Sequence, residues 1–139
     1  MKKVFLDTNV TLDLLLAREP HYHSAAVLFS LIEKGALEGY LSSLTFTNLA
    51  YILQKTEQRR ESIHHLQTLR PLVHVLPVTS RVIDLALASE FKDFEDAVQY
   101  YTALEGNIRI LVTRNVRDFS KAEITVCTPD EFLKTNREN

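Results

Sequence analysis

At 139 residues and 45% hydrophobic, the chain carries enough apolar material for one domain with a core, over residues 1–139, and too little for two. A formal charge of −2 excludes a protein that coats nucleic acid through a broad basic surface, leaving room for a local basic patch only. The lone Cys127 excludes an internal disulfide, and no apolar run approaches a signal peptide's core or the ~20 residues of a membrane span, so a soluble, cytoplasmic protein with no membrane partner is expected.

Val4-Phe5-Leu6 reads as a short strand buried on both faces, and the first residues at its carboxyl end are Asp7, Thr8 and Asn9. A helix is expected around Leu12 to Leu16, with Asn9 or Thr11 placed to cap it and Pro20 closing it. Apolar residues at helical spacing over residues 24–34 predict a second helix ended by Gly35, and residues 38–41 a second strand. Ser42 or Ser43 then caps a helix with Leu44, Leu49, Ile52 and Leu53 inward and Thr45, Asn48 and Tyr51 on a more polar side. The Arg-rich stretch 54–67 reads as a solvated helix stopped at Pro71, before a strand over residues 72–76.

Thr79 or Ser80 caps the next helix. Asp93-Phe94-Glu95-Asp96-Ala97 opens another, whose expected buried stripe is Phe94, Ala97, Val98, Tyr101 and Leu104, with Asp93, Asp96 and Tyr100 on another face. Ile110-Leu111-Val112 is a fourth strand leading into Thr113-Arg114-Asn115-Val116-Arg117-Asp118-Phe119, the same order of apolar strand and polar cluster as at Asp7. Residues 124–126 make a fifth strand. Pro129 starts a last helix capped by Thr128, and the tail 134–139 is expected to fray. Strands alternating with helices give an α/β fold with a four- or five-stranded, mostly parallel sheet and helices on both faces, which puts sites at strand ends.

Asp7, Asp96 and Asp118 are the candidates to converge there, with Asp93 and Glu95 as neighbours and Asn48 and Asn115 as neutral oxygen donors. Clustered carboxylates raise one another's pKa unless a cation sits among them, and oxygen donors without a Cys or His set select Mg²⁺ or Mn²⁺. Such an ion activates water and holds a phosphate oxygen. Taken singly, Asp93 and Asp96 also fit a helix cap and its third position, and Asp118 a turn. No glycine-rich phosphate loop and no serine nucleophile elbow competes with the acids.

Phe5-Leu6-Asp7-Thr8-Asn9, the run from Ser42 to Leu49, Asp96-Ala97 opening a helix, and Leu111 to Phe119 together resemble the PIN domain, closest to the small bacterial single-domain type that includes VapC-like toxins. The resemblance covers essentially the whole chain. It implies a three-layer α/β/α sandwich and a Mg²⁺- or Mn²⁺-dependent ribonuclease, with Asp7, Asp96 and Asp118 as catalytic acids and metal ligands, and Thr8, Asn48, Asp93, Thr113 and Asn115 supporting them. It also implies a homodimer and an antitoxin-like protein partner. Arg114, Arg117, Lys92 and Lys121 lie near the acids in sequence and are candidates to hold RNA phosphates.

The departure is Asn48, where the family usually has a glutamate. An amide keeps an oxygen but loses a negative charge and cannot act as a base, and Glu95 or Asp93 is the candidate to restore that charge. A catalytically weakened or inactive PIN-like module that binds RNA or a protein is therefore the alternative function, and a structural protein whose acids are only caps is the third.

Overall fold

The protein is described by a computed structural model over residues 2–137. Five strands, β1 (Lys2–Leu6), β2 (Leu37–Ser42), β3 (Val73–Leu76), β4 (Ile110–Val112) and β5 (Thr125–Cys127), form one parallel sheet in the order β3-β2-β1-β4-β5. Successive side chains of a strand point to opposite faces, so Val4 and Leu6 of β1 enter one core and Phe5 another. On the Val4 face lie α1 (Thr8–Leu15), α2 (Tyr22–Glu33), α3 (Ser43–Leu53), α4 (Arg59–Leu69) and α7 (Pro129–Arg137). The Phe5 face is covered by α6 (Phe94–Glu105), against which α5 (Ser80–Leu87) packs, completing three layers.

Short polar side chains open the helices. Ser42 accepts from the Thr45 amide at 3.0 Å and Thr79 from the Val82 amide at 3.2 Å. Thr128 and Glu131 satisfy each other's backbone amides at 3.1 and 2.9 Å, a capping box that fixes the start of α7. Gly35 ends α2 at φ +80°, a left-handed conformation that costs glycine nothing.

Four expectations need correction. Neither Asn9 nor Thr11 caps the first helix: Asp7 itself does, so α1 starts at Thr8. The Arg-rich helix begins only at Arg59, because α3 ends at Leu53 and a turn intervenes. On α6, Phe94 is 48% exposed, whereas Tyr100 is 4% exposed and stacks on Phe91 at 5.3 Å between ring centres. The tail continues as helix through Arg137, and residues 138–139 lie outside the described residues.

Leu12 and Leu28 are core residues, and Leu14, Leu15, Leu16 and Leu31 pack against the same core, which leaves little of these two stretches for a partner. Cys127 is half-buried at the end of β5, and burial pushes its thiol up to about 11, as expected of a filler. Among the described residues no helix is long and apolar enough to cross a membrane.

Candidate active site

The strand order reverses between β1 and β4, and the crevice beyond the carboxyl ends of such a pair is where open α/β sheets bind ligands. Asp7 leaves β1 directly into it, its amide donating to the Val112 carbonyl of β4 at 3.0 Å. One carboxylate oxygen, Oδ1, accepts from the Thr8 amide and the other, Oδ2, from the Thr113 hydroxyl, both at 2.8 Å. The side chain is 7% exposed. Burial raises its pKa; the bonds from Thr113 and Thr8 oppose this, the charge of Asp118 adds to it, and Arg114 opposes it weakly.

The second acid comes from the first turn of α6. Asp93 caps this helix by accepting from the Asp96 amide at 3.0 Å, so its cap role is realised. Asp96 is pushed up to about 7 by burial first, then by the charges of Asp93, Asp7, Asp118 and Glu95. One aspartate thus feels four other acids contributed by β1, α6 and the loop after β4. Asp118 is exposed on a single 3-10 turn (Val116–Phe119), held in place by the buried Phe119 ring and by its own amide donating to the Asn115 carbonyl at 3.0 Å. Asn115 also donates its backbone amide to the Thr113 hydroxyl at 3.1 Å, locking the loop to the hydroxyl that holds Asp7.

Asp93, Asp96 and Asp118 line a cleft of about 340 Å³ together with Lys92, Arg117 and Lys121. Lys121 is 3.7 Å from Glu90 in an exposed pair that contributes little to stability. Arg114 is differently employed. Its Nε lies 3.0 Å from Asp13 Oδ2, while Arg18 Nε donates to Asp13 Oδ1 at 3.0 Å, so two guanidinium groups neutralise one carboxylate that is 1% exposed. Arg114 therefore ties the loop after β4 to α1, and it is not among the residues lining the cleft of the other three cations.

Two functional-looking residues escape the sequence reading. Asp13 falls in the leucine-rich run of α1 and gives no signal there. Gln99 is 1% exposed on α6, one turn beyond Asp96, and its Nε2 donates to the hydroxyls of Thr45 at 3.0 Å and Thr8 at 3.3 Å. It ties the openings of α1 and α3 to α6, and a polar residue at helical spacing from Asp96 is the signal that could have found it. Asn48 sits on α3 and its side-chain amide donates to Glu95 Oε1 on α6 at 2.9 Å.

The donor set is all oxygen, with neither thiolate nor imidazole in the crevice, and its acids add their charges to burial in raising Asp96. That chemistry fits a hard divalent cation of the Mg²⁺ or Mn²⁺ kind. Among the described residues no three acidic, histidine or cysteine side chains stand close enough to grip one ion together.

Among curated proteins the chain is similar to ribonuclease VapC1 of Aquifex aeolicus (strain VF5), 23% identical over 138 residues that cover 96% of this chain and 94% of that one. Among solved structures it is similar in fold to a toxin–antitoxin complex from Klebsiella pneumoniae, with a TM-score of 0.68 at 22% identity over 91% of this chain and 97% of the other. It is likewise similar to VapC20 of Mycobacterium tuberculosis, described as a toxin that cleaves the sarcin–ricin loop, with a TM-score of 0.63 at 17% identity over 78% and 86% of the two chains. The family model described as PIN domain matches residues 3–117, and the chain belongs to that family.

Proposed function

We propose that this PIN domain is a Mg²⁺- or Mn²⁺-dependent endoribonuclease acting as the toxin of a toxin–antitoxin pair, with Asp7, Asp96 and Asp118 as the acids that hold the ion. The observation that carries this reading is the convergence of carboxylates from separate elements at the β1/β4 crevice, where burial first, and then the charges of Asp93, Asp7, Asp118 and Glu95, push Asp96 up to about 7. A helix cap or a turn needs one acid and gains nothing from four neighbours of the same sign. An ion bound there supplies Lewis acidity, which polarises a phosphodiester and makes water a nucleophile at neutral pH.

The remaining roles follow from placement. Thr113 and the Thr8 amide fix the orientation of Asp7, and Asp93 fixes the start of the helix that carries Asp96. Lys92, Arg117 and Lys121 line the cleft on its basic side and hold the RNA backbone, giving affinity that falls as salt rises. Arg114, committed to Asp13, acts on RNA only through the loop it supports. The relatives' names support RNA as substrate and an antitoxin as partner.

Incubation with a panel of RNAs and Mn²⁺ tests the proposal. Wild type should cleave, and Asp7→Asn or chelation should abolish cleavage; turnover that survives Asp7→Asn would contradict it. The uncharged Asn48 favours a second reading, a binding module without turnover, and uncut RNA alongside tight metal binding would put that reading ahead.

A second chain of the same protein is proposed to cover the apolar groove of about 330 Å³ formed by Leu44, Val78, Ile83, Phe94 and Val98 between α3, α5 and α6. Sedimentation should give a dimer at micromolar concentration and a monomer for Phe94→Asp. A strictly monomeric wild type would refute it.

A further inference from the structure

Gln99 is buried beside the crevice, and only half of its amide is satisfied. Its Nε2 donates to the hydroxyls of Thr45 at 3.0 Å and Thr8 at 3.3 Å, whereas its Oε1 is buried without a hydrogen-bond partner among the described residues. A buried acceptor left unpaired costs stability, and a methionine of similar length would strand no such atom. The hydroxyls would not be stranded either, since that of Thr45 lies 3.1 Å from the Ser42 hydroxyl and 3.5 Å from that of Thr8. Stability therefore does not account for an amide at this position. A polar group kept in a core at such a cost is expected where function needs it.

The amide joins three elements that meet at the crevice. Thr8 is the first residue of α1, and its backbone amide holds Asp7 Oδ1 at 2.8 Å. Thr45 lies in the first turn of α3, its own amide fixed by Ser42. Gln99 stands one turn after Asp96, about 4.5 Å along the axis of α6. The apolar contacts of α6 run elsewhere: Ala97 and Val98 pack with Val82 and Ala86 of α5, and Tyr100 and Ala103 with Phe5 and Leu111 of the sheet. Among the described residues Gln99 supplies the side-chain hydrogen bond from α6 to α1. We propose that Gln99 is a positioning residue for RNA cleavage: by holding the first turns of α1 and α3 to α6, it sets the separation of Asp7 from Asp96. The proposal deepens the nuclease reading above and rests on it. A misplacement of about 1 Å between acting groups is enough to cost about 100-fold in rate.

The test separates rate from stability and from RNA binding. Gln99→Met in the full chain should leave the denaturant midpoint of the metal-free protein at the wild-type value or higher. With Mn²⁺ and RNA it should lower kcat about 10–100-fold and keep KM within about two-fold, since Lys92, Arg117 and Lys121 still line the cleft. Thr8→Val removes the same tie from its other end and keeps the backbone amide that holds Asp7, so it should lower kcat to a similar extent. Because both changes break one tie, the double variant should fall little below the slower single variant, whereas independent effects would multiply. Gln99→Met that turns over as fast as wild type, or that loses stability in step with kcat, would overturn this proposal alone, and so would multiplying effects in the double variant. A wild type that cleaves no RNA would overturn it together with the reading on which it rests.

Discussion

Asp96 is raised by burial and by the charges of four neighbouring acids. Its carboxyl is pushed up from 3.8 to about 7, so between those values the folded protein keeps a proton that the unfolded chain has already released. The sign follows from linkage: the native state binds more protons, so stability falls as pH rises through that window and levels off above it. Asp7 and Glu95 are raised too and act in the same direction. In the presence of a chelator, wild type should lose stability relative to Asp96→Asn as pH rises from about 4 to about 7, measured as the difference between their thermal unfolding midpoints. A difference that moves the other way would mean that the acids are not crowded. Thr113→Val makes a separate test at the same scale. It removes the hydroxyl that donates to Asp7 at 2.8 Å and accepts from the Asn115 amide at 3.1 Å, and loss of such an outer partner should cost about 10–100-fold in Mn²⁺ affinity.

At the scale of elements, the crevice depends on how the loop after β4 is fastened. Asp13, near the end of α1, holds Arg18 and Arg114 at 3.0 Å each, and through Arg114 it ties α1 to the loop that carries Thr113 and Asp118. Asp13→Ala should cost about 3 kcal/mol in denaturant unfolding, since breaking a buried pair leaves cations without their counter-charge. Gly39 on β2 is a second fastening. A Cβ there would stand 2.7 Å from Ile32 Cδ1, the far end of a side chain that can turn aside, so Gly39→Ala should cost no more than about 1 kcal/mol. Element starts were legible wherever a short polar residue preceded an apolar run, as at Ser42, Thr79 and Asp93. The buried side of α6 was not legible. This helix is covered by the sheet on one side and by α5 on another, so Tyr100 is buried as well as Ala97 and Val98, and a single apolar stripe does not describe it. Gln99 is buried because hydroxyls 91 and 54 residues away meet its amide, a satisfaction that periodicity cannot foresee.

For the molecule as a whole, the parallel sheet was legible because the strands are short apolar runs closed by turn signals and, from β1 to β4, separated by helices. The strand order and the β1/β4 switch point follow only from pairing. The nominated acids stand around that switch point because two of them, Asp7 and Asp118, follow adjacent strands and the third opens the helix lying over them. The use made of Asn48, and the diversion of Arg114 to Asp13, depend on side-chain reach between elements and left no trace in spacing. The central claim is that these carboxylates form one divalent-cation site, and stabilisation by Mn²⁺ tests it most directly. At a Mn²⁺ concentration a hundred times its dissociation constant, wild type should gain about 2.7 kcal/mol in unfolding free energy, and Asp7→Asn with Asp96→Asn should gain almost nothing at the same concentration. An equal gain in both proteins would place the ion elsewhere and contradict the account.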